Sequence, residues 1–308
     1  MFHYIIKKGL ISFFSLFLVM SLTFFLMKAI PGDPFIQEQV ISKEILQSLY
    51  SHYGLDQPIF VQYFKYVKGF FYWDFGPSFI YQGRTVNQVI KEGFPISAIL
   101  GLEALSFSLF FGVLFGSIAA IYKGKWQDYL MMALAMVWIS LPGFLLASFL
   151  QYFFSIKLGW LPVARWGSFS HTILPALSLA AMPSCFIARM VRMSLLDVLQ
   201  QDYIKTAYSK GLNSLQVIYK HALRNAIIPV ISYLGPLSAQ VLTGSFVIEK
   251  IFGIPGLGKW LIMSISNRDY TMIMGITVFY SFFLISIILL VDIIYGLIDP
   301  RIRKAKRI

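Results

Sequence analysis

Cysteine is nearly absent from this sequence: Cys185 stands alone. No disulfide can form within the chain, and metal clusters built on paired thiolates are excluded. Histidine is almost as sparse, with His3, His52, His171 and His221 scattered along the length. No Ser/His/Asp set, paired carboxylates or His/Cys cluster is visible, so the residues offer no catalytic centre. Charge is scarce as well. Only 13% of residues are Asp, Glu, Lys or Arg, well below the level of a soluble domain. Acidic residues number 14 against 26 basic ones, a net charge of +12. Nucleic acid would suit that balance, but a basic membrane protein needs no such partner, because its positive charge gathers on cytoplasmic loops.

What the chain has instead is apolar length. A 57% hydrophobic composition and a mean hydropathy of +0.70 rule out one or two soluble domains in 308 residues. Six runs are long enough to cross a bilayer: 10–27, 96–122, 130–156, 172–188, 226–248 and 272–298. The first lies between Lys7-Lys8 and Lys28. It exceeds a signal-peptide core and no A-x-A-like cleavage site follows, so it is read as a retained span. Pro175, Pro183, Pro229 and Pro236 fall inside runs, which neighbouring helices or water can accommodate. The expected fold is an all-α membrane protein of six transmembrane helices. Its expected divisions are residues 1–30 (first helix), 31–95 (external helical subdomain), 96–298 (five-helix core) and 299–308 (basic tail).

The segment 31–95 carries helix punctuation. Ser42 can cap a short helix bearing Ile45, Leu49 and Tyr53, ended by Gly54. Pro58 fits an N1 position, with Ile59, Tyr63, Tyr66, Val67 and Phe70 following at helical spacing. Thr85 and Gln88 form a capping box, and Gly93 reads as a stop. The result is a small subdomain resting on the membrane face, too small to fold alone.

Lysine and arginine set the orientation. With the N-terminus inside, the inner segments hold 15: Lys7 and Lys8, Lys123 and Lys125, six from Arg189 to Arg224, and five from Arg301 to Arg307. The short outer loops hold five: Lys157, Arg165, Lys250, Lys259 and Arg268. Both termini are therefore expected in the cytoplasm.

Between two apolar runs lies the polar-rich stretch 197–224, within a loop spanning 193–224. Leu196, Leu199, Tyr203 and Ala207 recur at three- and four-residue intervals, as on one helix face. Gly211 suits a left-handed C′ stop. Asn213 with Gln216 opens a second helix through a capping box. A helix, a glycine break and a second helix make a docking handle for a soluble partner; an ordinary polar loop is the competing reading.

Three other features were weighed. Gly253 to Lys259 almost spells a phosphate-binding loop, but Trp260 stands where a hydroxyl is required and no buried strand precedes it. A tight turn built on Pro255, Gly256 and Gly258, letting a short helix re-enter the membrane surface, is the better reading. Glu103 and Asp292 are ionisable groups within runs. Asp292 lies near the basic tail, where Arg301 or Arg303 could pair with it, whereas Glu103 stays open as part of a translocation path. Trp160, Trp166 and Trp260 read as interfacial anchors.

The handle resembles the cytoplasmic loop of the membrane subunits of ABC importers. In that resemblance Gly211 takes the glycine place, Lys205-Thr206-Ala207 the E-A-A place and His221-Ala222-Leu223-Arg224 the I-x-L-P place. DYIKTAYSKGL followed by HALRNAIIPV is the variant of the peptide-importing branch. IPGDPF at 30–35, FPIS at 94–97, DFGPSF at 74–79, SYLGP at 232–236, FGIPGLG at 252–258, NRDY at 267–270 and DPRIR at 299–303 agree in order. The resemblance spans essentially the whole chain and is nearest to the B-type permease of oligopeptide importers; dipeptide, nickel and glutathione importers share the architecture. It implies a multi-pass subunit of the bacterial inner membrane, paired with a homologous second permease. Two ABC ATPase subunits, which would bind ATP and Mg²⁺, and an external peptide-binding protein would complete the machine. The chain itself would carry no cofactor and no ATP site. Leu199, Asp202, Tyr203, Ala207, Gly211, Leu212, Asn213 and His221 would contact or brace the ATPase. An ion-coupled secondary transporter is the rival; it calls for inverted repeats and intramembrane carboxylates at matched positions, of which only Glu103 and Asp292 are candidates.

Overall fold

The computed structural model describes residues 2–31, 43–242 and 246–298. Among these the chain is helical, without strands beyond one isolated bridge between Pro77 and Thr85. It forms two compact units, one from Met1–Ser97 with Pro255–Ile308, the other from Ala98–Ile254.

The first unit is built on α1 (Phe2–Ala29) lying against α14 (Tyr270–Ile298). Leu16 and Met20 pack on Val278, and Tyr66, Val67 and Phe70 of α3 (Ile59–Phe71) close over them. The Ser21 and Tyr63 hydroxyls meet at 2.7 Å. Towards the other end, Lys8 Nζ pairs with Asp292 Oδ2 at 2.5 Å. Asp292 is therefore matched by a lysine of the first helix; Arg301 and Arg303 lie outside the described residues. A second cluster joins Val86, Val89 and Ile90 of α4 (Val86–Ile121) to Leu257 of α13 (Leu257–Ser266) and to Met272 and Ile276 of α14. Asp269, fully buried, accepts the N–H of Met272 at 3.2 Å and the hydroxyl of Ser78. It thereby caps α14 and holds the DFGPSF turn to it.

Local punctuation in this unit follows the sequence closely. Gly54 closes α2 (Lys43–Tyr53) at φ +67°. Pro58 stands one residue before α3, not inside its first turn. Gln88 N–H donates to Thr85 Oγ1 at 3.2 Å and Thr85 N–H to Gln88 Oε1 at 3.1 Å, completing the capping box. Ser42 and residues 32–35 lie outside the described residues, as does the basic tail 299–308. Gly93 is not a stop: α4 runs straight through it. A Cβ there would sit 3.0 Å from the Leu257 backbone nitrogen, so glycine answers to a close approach rather than to a turn.

The second unit holds the rest of α4, then α5 (Trp126–Ser140), α6 (Gly143–Leu150) prolonged by a π-helical stretch Gln151–Lys157, and α7 (Ser170–Leu199). After the handle come α11 (Ile228–Leu242) and α12 (Phe246–Ile251). α4 and α7 nearly touch. A Cβ on Gly112 would fall 2.6 Å from Ile187 Cβ, and one on Gly116 would fall 2.5 Å from the Ala188 carbonyl oxygen. Small residues at the crossing let two membrane helices gain dispersion contacts that lipid tails would otherwise supply.

Among the described residues four helices are long and apolar enough to cross a membrane, and two bent pairs bring the number to six if each is one span. The run 130–156, expected as a single helix, is broken by 107° between α5 and α6. Leu141 precedes Pro142 and is extended, at φ −88° and ψ 124°. Proline forces that geometry on the residue before it. A second bend, of 51°, separates 214–226 from α11 just ahead of Pro229.

Gly116→Val should lower the stability of the purified protein by about 1–3 kcal/mol through overpacking, read as a drop in thermal unfolding temperature. Gly143→Ala, where no atom lies within 4 Å of the added methyl, should leave that temperature unchanged.

Candidate functional site

The handle folds as a closed miniature core. α7 ends at Leu199, Gln201 is extended, and α8 (Asp202–Ser209) begins anew. The face expected to run unbroken through Leu196, Leu199, Tyr203 and Ala207 is therefore interrupted at Gln200–Gln201. The new helix turns Ile204 and Ala207 inward, where they bury against Leu195, Val217, Ala222, Ala226 and Ala120. Leu196, Leu199 and Leu212 cover this cluster from its rim. Tyr203 points the other way. It is 42% exposed, and its hydroxyl accepts a hydrogen bond from Asn225 Nδ2 at 2.8 Å.

Beyond α8 the chain turns at Gly211, φ +80°. Nothing lies within 4 Å of a Cβ built there, so the requirement for glycine is purely one of backbone conformation. Asn213 accepts the N–H of Gln216 at 2.8 Å, and Gln216 Oε1 accepts the N–H of Asn213 at 3.4 Å. This capping box opens α9 (Ser214–Gln216), which passes through a π-helical stretch Val217–Ala222 into α10 (Leu223–Ala226). Asp202 pairs with Lys205 at 2.8 Å in full solvent, where such a bond contributes little. His221 is exposed.

Sequence reasoning missed three members of the outer face. Tyr208, Leu215 and Tyr219 are 44%, 63% and 64% exposed, large apolar groups that with Tyr203 leave apolar surface on the outside of the handle. Their signal was present, since Leu215 and Tyr219 lie four residues apart. A further residue pair was invisible to local patterns. Asp128, at the start of α5 and almost fully buried, receives Arg192 Nε and Nη2, each at 2.7 Å, and the N–H of Gly124 at 3.0 Å. A bidentate fork of this kind fixes both distance and angle. It locks the 122–128 turn to α7 one and a half turns before the handle begins.

One oxygen of Glu103 is buried without a hydrogen-bond partner. Glu103 does not line the 840 Å³ cavity of the second unit, which is walled by Trp138, Ser140, Ser178, Tyr233 and Gln240 among others, with no charged side chain among its described residues. Gly253 takes φ +63°, Gly256 precedes α13 in an extended conformation, and Gly258 is buried while Pro255 is exposed. The turn thus launches α13 as expected, with Leu257 N–H donating to Ser97 Oγ at 3.0 Å. Trp260 packs beneath Arg84, 5.6 Å from its ring, and edge-on to Tyr81, a packing role that interfacial anchoring does not describe. Trp160, at 70% exposed, keeps the anchoring role open.

Residues 112–304 match the family model described as binding-protein-dependent transport system inner membrane component, and residues 1–103 match the N-terminal model of the same component. The chain belongs to this family. It is 46% identical over 305 residues to the dipeptide transport system permease protein DppB of Bacillus subtilis (strain 168), covering 99% of both chains. It is 39% identical to the oligopeptide transport system permease protein OppB of Haemophilus influenzae (strain ATCC 51907 / DSM 11121 / KW20 / Rd), across 98% of this chain and 100% of that one. The OppB protein of Escherichia coli (strain K12) is 38% identical over the same shares. Two solved ABC transporter structures share the fold, each at TM-score 0.52 and 16% identity. One, an amino acid transporter with histidines, covers 67% of this chain and 92% of its own; the other, the methionine transporter MetNI in an inward-facing conformation, covers 68% and 94%. The chain is an ABC importer permease subunit, and in this family ATP hydrolysis is carried by separate subunits.

Asp128→Ala should destabilise the protein by on the order of 3 kcal/mol, because it leaves the Arg192 guanidinium uncompensated. Lys205→Ala, which removes a solvent-exposed pair, should change the thermal unfolding temperature hardly at all.

Proposed function

We propose that this chain forms half of the membrane path of an ATP-driven peptide importer. A second, homologous permease supplies the other half. Two ATPase subunits grip the handle, and an external peptide-binding protein delivers cargo to the 31–95 subdomain and the loop around Pro255, Gly256 and Gly258. The observation that carries this reading is identity over almost the entire length to permeases named for dipeptide and oligopeptide transport. The charge count supports placing both termini and the handle in the cytoplasm of a bacterium, with the spans in its inner membrane.

The physical case rests on stiffness. A membrane chain without its own engine moves cargo uphill only when an outside engine changes its shape, and the push must enter through an element that does not yield. The handle meets that need. Ile204, Ala207, Val217 and Ala222 form its packed base, while Tyr203, Tyr208, Leu215 and Tyr219 are exposed and can fill an apolar groove. Exposed aromatic side chains of this sort commonly carry the largest share of binding energy. Leu199 and Leu212 brace the base and do not reach out as plugs. Cargo would use the 840 Å³ cavity. Its hydroxyl and amide groups can greet a peptide backbone, and the lack of fixed charge lets many side chains pass. Specificity then resides chiefly in the binding protein, and Glu103, which does not line this cavity, has no part in it.

Dipeptides are the second reading, favoured by the higher identity to the B. subtilis dipeptide permease. Uptake of labelled peptides of graded length, in cells lacking the chain and in cells with it restored, separates the two, with nickel and glutathione as further cargoes. Uptake of longer peptides restored only with the chain supports an oligopeptide importer. Restoration confined to two-residue cargo selects the dipeptide reading, and no restoration with any peptide removes both. Tyr219→Ala and Leu215→Ala should each weaken ATPase capture about ten-fold, a loss near 1.4 kcal/mol, and leave unfolding temperature unchanged. Gly211→Val should lower transport with insertion intact, since a β-branched residue at that positive φ costs about 1 kcal/mol or more.

A further inference from the structure

The first unit contains a cavity of about 400 Å³ that neither cargo passage nor ATPase coupling uses. It lies among α1, α2, α3, the DFGPSF turn and the start of α14, with Phe24, Tyr53, Tyr66 and Phe70 among the rings in its wall. Three polar groups in that wall stand without partners. Tyr66 Oη and Thr271 Oγ1 are buried and make no hydrogen bond. No carboxylate among the described residues pairs with Lys28. Lys28 and Tyr66 flank one ring: the ammonium lies 6.0 Å from the Phe24 centroid, and the phenol stacks on it at 5.6 Å. A buried hydroxyl with no partner forfeits the hydrogen bonds it would make to water. Two such hydroxyls beside an unpaired ammonium make a costly wall unless something fills the space.

We propose that this cavity binds an anionic amphiphile, with an acidic head on Lys28, Tyr66 and Thr271 and an acyl chain among the rings. Each of the three groups can donate a hydrogen bond, and none of them carries negative charge. The charged residues of the lining are Lys28, Lys65 and Asp74; the Asp74 carboxylate is already engaged by the N–H of Gly76 at 3.1 Å. The balance therefore favours an anion. Two features make the bilayer the source. Phe25 of α1 stacks on Tyr63 of α3 at 5.4 Å, so the apolar surfaces of the two helices are continuous. Phe60, Phe64 and Phe71 of α3 are 66%, 68% and 62% exposed, a face suited to acyl chains and poorly suited to water. A phospholipid reaches the cavity along that face, whereas free phosphate shares the head chemistry without the tail.

The purified transporter, with its partner subunits, provides the test. After a delipidating wash, native mass spectrometry and thermal unfolding would be read with phosphatidylglycerol, with phosphatidylcholine and with inorganic phosphate. Phosphatidylglycerol should be retained at about one molecule per copy of this chain and should raise the unfolding temperature; the other two should do neither. Lys28→Gln and Thr271→Val should each weaken retention about ten-fold, the worth of one strong hydrogen bond to a charged group. Tyr66→Phe, which deletes only a hydroxyl, serves as a third variant should either of those two fail to fold. Equal retention of both lipids, protection by phosphate matching that by lipid, retention unchanged in the variants, or no lipid retained would each overturn the proposal.

Discussion

A push delivered to a helix travels only as far as the packing beneath it holds. In this protein that packing is the small cluster of Ile204, Ala207, Val217, Ala222 and Ala226 against Leu195 of α7 and Ala120 of α4. Its members are mostly alanine and β-branched residues, so backbones approach closely and few rotamers remain to absorb motion. The left-handed turn at Gly211 and the reciprocal hydrogen bonds of Asn213 and Gln216 freeze the link between the two short helices. Both short helices of the handle thus rest on one packed base.

The same economy appears where α4 crosses α7. Gly112, Gly116, Ser108 and Ala188 take the side chains out of the contact and bring main chain to within touching distance. The Asp128–Arg192 fork then fixes α7 near its end, in a direction that dispersion alone leaves free. Nonpolar contact and one buried ion pair divide the work. The first sets how close the elements lie, and the second sets how they are turned.

Much of this was legible in the sequence because it rests on local rules. Gly54, Thr85 with Gln88, Gly211 and Asn213 with Gln216 act within four residues, and each performs as its chemistry suggests. Misreadings arose where a distant contact outweighed the local pattern. Gly93 has a stop's identity, but the backbone at Leu257 demands its smallness. Tyr203 fits the period of an apolar face, but the restart of the helix at Asp202 rotates Ile204 into its place. The break at Leu141–Pro142 could have been inferred from proline's effect on its predecessor; hydropathy alone hid it. Asp128 with Arg192, and Lys8 with Asp292, join residues 64 and 284 positions apart, and no window along the chain connects them.

That last separation bears on the order in which the molecule is made. Residues 98–254 are continuous, so the second unit possesses all its parts while the ribosome is still adding the final helices. The first unit is assembled from both ends of the polypeptide. Lys8 is made early and meets Asp292 only once α14 has been added. The first helix can therefore dock on α3 while its seat against α14 is still to be made.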